Sequence, residues 1–128
     1  MRFNEGDVIY CNCVGTEICY HVGIVYKKNN KEFVFHNAPT NVNKYGGSVV
    51  SEPLYEFKKN REIYRVVPTY AKNKDIIKVT QRVKYEVWDS MLFNCEDYIT
   101  EIVQGYRESD IRDTWKMVTV GASLLLLL

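Results

Sequence analysis

Two β-forming segments joined by a short polar turn constrain the fold of this chain more than any other feature of its sequence. Residues 18–26 and 32–37 are rich in β-branched and aromatic side chains, which favour extended strands. The sequence KKNNK at residues 27–31 contains the asparagines that a tight hairpin turn favours. Residues 7–13 have the same β-forming character. The three segments together predict an antiparallel meander.

The middle of the chain predicts two further strands and then a helix. Residues 48–50 and 62–67 are short β-forming segments, and Pro68 closes the second of them. From residue 74 onward the apolar residues lie three or four positions apart, a spacing that is typical of a helix. They are Ile76, Val79, Val83 and Val87.

Two more helices are predicted towards the C-terminus. Residues 94–104 carry apolar side chains on one face and are followed by Gly105, a common helix stop. Ser109 or Asp110 is a suitable N-cap for a third helix that runs through Trp115. With the strands, these helices predict an α+β fold. It is a small antiparallel sheet of four to six strands with two or three helices packed on one side.

The composition is that of a globular domain and gives no electrostatic case for binding nucleic acid. The chain has 128 residues, of which 46% are hydrophobic and 26% charged, and its formal net charge is +1. Nucleic-acid binding usually needs a clustered basic face, whereas the basic residues here are spread over separate turns. No secretory segment is recognisable near the N-terminus. The four cysteines therefore predict free thiols in a reducing, cytoplasmic compartment.

Cys95 is a candidate nucleophile because of its place at the start of a predicted helix. It follows Asn94 directly, and a helix N-terminus carries partial positive charge and unpaired N–H groups. Both features favour the thiolate, which is the reactive form of cysteine. Glu96 and Asp97 oppose this effect, so a nucleophilic Cys95 needs a basic partner. The alternative is a buried, unreactive cysteine.

The two histidines of the chain, His21 and His36, are the candidate partners. They lie on the two predicted strands that the KKNNK turn joins, and the hairpin places them on or near one face. One imidazole is then able to accept the thiol proton while the other orients it, which is the logic of a cysteine–histidine triad. The alternative is a pair of half-buried histidines bonded to the backbone.

A zinc site is a competing interpretation of His21. Cys11 and Cys13 alternate on the first strand, and Cys19 and His21 alternate on the second, so each pair shares a face of its strand. Three cysteines and one histidine form a legitimate structural zinc set. Their spacing, C-x-C-x5-C-x-H, is not a common zinc pattern.

Four stretches of the chain resemble one family in their order and spacing. They are GDVIYC at residues 6–11, YHVGIVY at 20–26, FVFHNAP at 33–39 and FNCEDY at 93–98. Together they resemble the lecithin:retinol acyltransferase-like family, a permuted branch of the NlpC-type papain-like thiol enzymes. The resemblance runs from about Arg2 to Gly105 and implies a permuted papain-like fold.

The resemblance assigns roles residue by residue. Cys95 matches the nucleophile of the family's N-C-E box, His21 matches the base, and His36 matches the orienting third member. The box reads NCEDY here, with Asp97 and Tyr98 where the family usually has histidine and phenylalanine.

The function that the resemblance implies is thiol-dependent acyl transfer or hydrolysis. The expected substrate is a lipid ester, as for a phospholipase A, and the reaction would pass through a Cys95 thioester without a cofactor. Val22 follows His21 where vertebrate members have tryptophan, so the resemblance does not extend to any specific vertebrate-type substrate. The alternatives are a cysteine peptidase or amidase of the wider superfamily, and a non-enzymatic binding module with a structural zinc.

The C-terminal tail is almost wholly apolar. Residues 115–128 contain one charge, Lys116, whereas crossing a bilayer takes about 20 apolar residues. We therefore divide the chain into a catalytic domain at residues 1–107 and a C-terminal helix with an apolar tail at 108–128. The tail is expected to attach to a membrane surface, or to begin a longer anchor. The alternative is a packed terminal helix or a loose tail.

Overall fold

The computed structural model describes residues 2–13 and 20–113. Five strands form one antiparallel sheet in the order β4-β3-β2-β1-β5. Their bounds are β1 Val8–Cys13, β2 Tyr20–Lys28, β3 Lys31–Asn37, β4 Val49–Pro53 and β5 Arg61–Val67. The predicted meander is present as β1-β2-β3, β4 extends it, and β5 returns to pair with β1.

The hairpin between β2 and β3 closes where the sequence predicts it. Lys28 pairs with Lys31, and the two residues between them, Asn29 and Asn30, have φ values of 53° and 64°. Two-residue turns with positive φ at both positions match the twist of the flanking strands, and asparagine tolerates this conformation. This turn fixes the register of the two histidine-bearing strands.

The helices lie between and after the later strands. They are α1 Leu54–Phe57, continued by a 3-10 turn at Lys58–Asn60, then α2 Asn73–Arg82 and α3 Cys95–Gln104. Residues 110–113 are also helical, at the start of the predicted third helix, and the rest of that prediction lies outside the described residues.

The helix α2 ends one turn earlier than its sequence pattern indicates. Val83 is its C-cap and is buried, but Val87 is 63% exposed. The carbonyls after the helix accept hydrogen bonds from the 43–48 loop: Asn43 donates to Lys84 and Ser48 donates to Glu86. These long-range bonds draw the chain away from the helix axis, and a periodic pattern cannot reveal them.

Both faces of the sheet are covered. The helix-side core, under α2 and α3, includes Val22, Ile24, Ile76, Tyr98 and Ile99. The outer core, on the opposite face, consists of Phe3, Ile9, Cys11, Val25, Val34 and Phe57. The short helix α1 supplies Phe57 to the outer core.

The α+β class and the antiparallel sheet are therefore confirmed, with α2 and α3 packed together on one side. In the part of the chain at residues 2–13 and 20–113, no helix has the length and apolar character needed to cross a bilayer. Residues 114–128, which hold most of the apolar tail, lie outside the described residues.

Candidate functional site

His21 and His36 are in direct contact, as the hairpin pattern predicts. Gly23 pairs with His36 in the β2–β3 register, so His21 lies two positions along β2 and projects from the same face. His21 Nε2 and His36 Nδ1 are 2.8 Å apart, and the rings meet edge to face. Both side chains are buried, with 6% and 1% of their surface exposed. The two imidazoles therefore form one hydrogen-bonded unit.

Gly23 has no side chain, and this allows Val34 and His36 of β3 to pack closely against it. A Cβ atom at this position would lie 2.5 Å from Val34 Cγ1 and 3.4 Å from His36 Cβ. The first distance is below any normal van der Waals contact, so a larger residue would push β3 and its histidine away. The glycine of the YHVGIVY stretch thus has a packing role next to His36.

The chain of hydrogen bonds continues from His36 to Glu52 on β4. His36 Nε2 and Glu52 Oε1 are 2.9 Å apart. The same carboxylate oxygen lies 3.4 Å from a guanidinium nitrogen of Arg61. In the β3–β4 register His36 pairs with Val50, so Glu52 is its diagonal neighbour on the same face. Sequence reasoning missed Glu52, because its place depends on the register of β4, which follows a long loop at residues 38–48 and cannot be read from the sequence.

Cys95 occupies the first position of α3, where the sequence places it. Asn94 caps this helix: its side-chain oxygen accepts from the backbone N–H groups of Glu96 and Asp97, each at 3.0 Å. Asp97 accepts in return from the N–H of Asn94 at 3.0 Å, which completes a capping box. The Asp97 of the NCEDY box therefore supports the helix start, and Arg112 bonds its second oxygen at 2.6 Å.

Two residues that follow the histidines hold Cys95 in place. Asn37, next to His36, is fully buried and donates its amide to the carbonyls of Phe93 and Asn94, each at 3.1 Å. The backbone N–H of Val22, next to His21, lies against the Cys95 sulfur. The sheet therefore fixes the helix start from both histidine-bearing strands.

The Cys95 thiol and the two imidazoles lie on opposite faces of the sheet and are not hydrogen-bonded to each other. In the described ranges, neither imidazole has a hydrogen bond with the Cys95 sulfur, which belongs to the helix-side core. The rings of His21 and His36 contact Phe57 of the outer core, with centroids 6.0 and 4.9 Å away. His21 Nδ1 has no hydrogen-bond partner among residues 2–13 and 20–113. The structure therefore joins the two histidines directly and brings Cys95 only to the peptide beside them.

Burial keeps the thiol and both imidazoles neutral at physiological pH. Burial, together with the charge of Glu96, raises the pKa of the Cys95 thiol to about 12, although nearby backbone N–H groups act the other way. Burial and the positive charge of Arg61 lower the pKa of His21 to about 3. Burial, His21 and Arg61 lower the pKa of His36 to about 2. The expectation that the helix end favours a thiolate is wrong for this closed arrangement, because desolvation outweighs the helix end.

Because the pKa of His36 is low, its ring is neutral, and this determines the type of contact that it makes with Glu52. A neutral imidazole carries one N–H, so the 2.9 Å contact is a hydrogen bond from this N–H to a carboxylate rather than an ion pair.

At the protein surface, a hydrogen bond joins the residue before His21 to the residue after Cys95. The hydroxyl of Tyr20, the residue before His21, donates to Glu96, the residue after Cys95, at 3.2 Å. A surface cavity of about 240 Å³ lies here, lined by Tyr20, Glu96, Asp110 and Ile111. Two of its lining residues, Tyr20 and Glu96, are the chain neighbours of His21 and Cys95 and are the two partners of this hydrogen bond.

The zinc interpretation receives no geometric support from the described residues. Across residues 2–13 and 20–113, no group of three histidine, cysteine or acidic side chains is close enough to hold a metal. Cys11 is a buried free thiol that donates to the His21 carbonyl at 3.6 Å. Burial raises the pKa of this thiol to about 11. The side chain of Cys13 and the whole of Cys19 lie outside the described residues.

Comparison with family models, with curated proteins and with solved structures finds no match to this chain.

Proposed function

We propose that this chain is a thiol-dependent acyl-transfer enzyme that forms a thioester at Cys95. The observation that carries the proposal is the Cys95 helix start, whose sulfur contacts the Val22 peptide next to a hydrogen-bonded His21–His36 pair. The resemblance of four ordered motifs to the lecithin:retinol acyltransferase-like family supports the same assignment, including its permuted papain-like fold.

The first half of the reaction uses His21 as a general base. The Cys95 thiol gives its proton to His21 Nδ1 while the sulfur attacks the carbonyl carbon of an ester. The tetrahedral oxyanion collapses, the carbon–oxygen bond to the alcohol breaks, and that alcohol takes the proton from His21. A thioester on Cys95 remains. Because both groups are neutral at rest, the proton moves during attack rather than before it.

Backbone N–H groups are the candidates for stabilising the oxyanion. Those of Val22, Cys95 and Glu96 lie around the sulfur, and Cys95 and Glu96 stand at the N-terminus of α3, which favours negative charge. A carbonyl carbon bonded to the sulfur places its oxygen within this group. In the second half of the reaction, water or an acceptor alcohol or amine loses a proton to His21 and attacks the thioester carbon. The carbon–sulfur bond then breaks, and the Cys95 sulfur takes the proton back from His21.

A rearrangement of the site must precede the proton transfer. Cys95 belongs to the helix-side core, whereas the His21 ring contacts Phe57 on the opposite face of the sheet. Rotation of a side chain does not carry it through the β2 backbone, so the start of α3 or the N-terminal end of β2 must move to bring Sγ to Nδ1. Catalytic hydrogen bonds are often loose before substrate binds, and His21 Nδ1 has no hydrogen-bond partner among residues 2–13 and 20–113.

The proposed donor is a lipid ester, with attachment to a membrane surface through the apolar tail at residues 115–128. The motif resemblance suggests the donor class, and the tail is consistent with a substrate that resides in a bilayer. A cytoplasmic, membrane-associated enzyme would meet such a lipid directly. A cysteine peptidase or amidase would use the same residues and is distinguished by its substrate.

The proposal predicts a covalent acyl adduct on Cys95. Incubating the full chain with a short-chain phospholipid is expected to add one acyl mass, measured by intact mass spectrometry and located by peptide mapping. The adduct should be absent in Cys95→Ala and retained in Cys11→Ala, which removes the other described free thiol. An adduct from a peptide amide alone would assign the peptidase function. No adduct from either substrate, with the fold intact, would overturn the enzyme assignment.

The Tyr20–Glu96 bond is predicted to limit access to Cys95. Tyr20→Phe removes the hydroxyl that bonds Glu96, the residue after Cys95, so the alkylation of Cys95 by N-ethylmaleimide should be about 3- to 10-fold faster, the equivalent of one net hydrogen bond. Tyr106→Phe is the matched control, because it removes a hydroxyl that bonds Gln104 at the far end of α3. Equal rates in wild type and Tyr20→Phe would show that this bond does not gate the thiol.

A further inference from the structure

The series of hydrogen bonds from His21 through His36 has a fixed order of donors and acceptors, because it ends at the Glu52 carboxylate. A carboxylate only accepts hydrogen bonds, so the 2.9 Å contact with Glu52 places the His36 proton on Nε2. A neutral imidazole has one N–H, so His36 Nδ1 is an acceptor. The 2.8 Å contact between the rings then places the His21 proton on Nε2. The remaining nitrogen, His21 Nδ1, carries a lone pair.

We propose that Glu52 is a positioning residue of this site, which sets the tautomers of both imidazoles and so makes His21 Nδ1 the proton acceptor. This inference rests on the proposed function, because it extends the Cys95–His21–His36 triad to a fourth member. Without the carboxylate, His36 Nδ1 is free to carry the proton and to donate to His21 Nε2. The His21 proton then moves to Nδ1, where it blocks acceptance of the thiol proton.

Arg61 holds Glu52 in this role and balances its charge. One guanidinium nitrogen of Arg61 lies 3.4 Å from Glu52 and donates to the carbonyl of Phe57 at 3.1 Å. The guanidinium also lies over the Phe57 ring, 4.5 Å from its centroid. Because Phe57 packs against both imidazoles, the cation, the ring and the carboxylate form one rigid support. The guanidinium offsets the negative charge of the carboxylate, while burial keeps the imidazole pair neutral.

Glu52 is more exposed than the ring that it contacts. About a third of its side chain, 31%, is open to solvent, whereas His36 is almost fully enclosed. It lies on the edge strand β4, which pairs only with β3 among the described strands. Water and Arg61 thus stabilise the charge while the hydrogen bond reaches inward to a buried ring. This arrangement suits a fixed acceptor better than a structural ion pair, since His36 stays uncharged.

The test measures the tautomers directly by nitrogen-15 NMR of the full chain at pH 7. The chain has only two histidines, so four ring nitrogens are observed. In wild type, both Nε2 atoms are expected to be protonated and both Nδ1 atoms unprotonated. Glu52→Ala should move proton population to His21 Nδ1. It should also lower kcat for ester turnover about 10- to 100-fold, with KM little changed, which is the value of one hydrogen bond to a charged group.

Two variants separate positioning from a structural role. Glu52→Gln keeps a carbonyl oxygen as acceptor and should retain the wild-type tautomers and most of the activity. Glu56→Ala removes an exposed carboxylate of α1 that pairs with Lys59 and should change neither measurement. A wild-type spectrum with a proton on His21 Nδ1, or a Glu52→Ala spectrum identical to wild type, would overturn the inference. Absence of a Cys95 adduct would instead overturn the proposed function, and the NMR result would stand independently.

Discussion

Changing Cys95 to alanine is expected to lower the rate of ester turnover at least about 1,000-fold, and changing His21 to glutamine should cost a similar factor. The reason is that the thiol and the imidazole act in one step: sulfur attacks only as its proton leaves, and the pKa of about 12 leaves almost no thiolate at neutral pH. Loss of the base should therefore reduce the rate more here than in an enzyme whose cysteine is already a thiolate at rest.

The decisive comparison is with the double variant. Because nucleophile and base act as a unit, removing both should cost little more than removing either, so the two losses are not additive. Steady-state kinetics of the four proteins, with circular dichroism to verify folding, measures this coupling. Additive losses would show that His21 contributes independently of the thiol, for example through structure alone. Cys11→Ala is the control. Cys11 is a thiol of the outer core that pairs with His21 in the β1–β2 register, and it has no role in the proposed reaction.

The parts of the fold that local sequence signals specify were predictable. The Asn29–Asn30 turn fixes the β2–β3 hairpin, and the hairpin fixes which residue of each strand faces the other. The capping residue Asn94 sets the start of α3 and hence the place of Cys95. In each case a few neighbouring residues decide the geometry, so the His21–His36 contact and the helix-start cysteine follow from the sequence.

The parts that depend on distant contacts were not predictable. Glu52 reaches His36 only through the register of β4, and Asn37 bonds Phe93 and Asn94 across more than fifty residues. The expectation that the helix end favours a thiolate at Cys95 was wrong for the same reason. A sequence shows that Cys95 is at a helix end, but the depth of its burial, which raises its pKa, is set by the packing of α3 on the sheet.

Acid is expected to destabilise this protein well before most carboxylates titrate. Unfolded histidine has a pKa near 6.5, whereas in the folded chain His21 and His36 have pKa values of about 3 and about 2. Between these values the unfolded chain binds up to two more protons than the folded chain. The free energy of unfolding is therefore highest above about pH 6.5 and falls as the pH decreases. The loss between pH 7 and pH 5 should be about 2 kcal/mol for each histidine, or about 4 kcal/mol in total.

Urea unfolding at pH 7, 6 and 5 measures this dependence, and glutamine variants identify its source. His21→Gln and His36→Gln each remove one titrating ring, so each should reduce the pH slope of the unfolding free energy by about one proton. Side-chain carboxyl groups titrate mostly below pH 5 and contribute little in this range. A wild-type slope near zero would show that the imidazoles are open to water and able to take up protons, which would contradict the enclosed pair. A slope that persists in both variants would place the acid sensitivity elsewhere. A slope near two protons that falls to one in each variant would show that folding keeps both rings neutral, which is the protonation state that a general base at His21 requires.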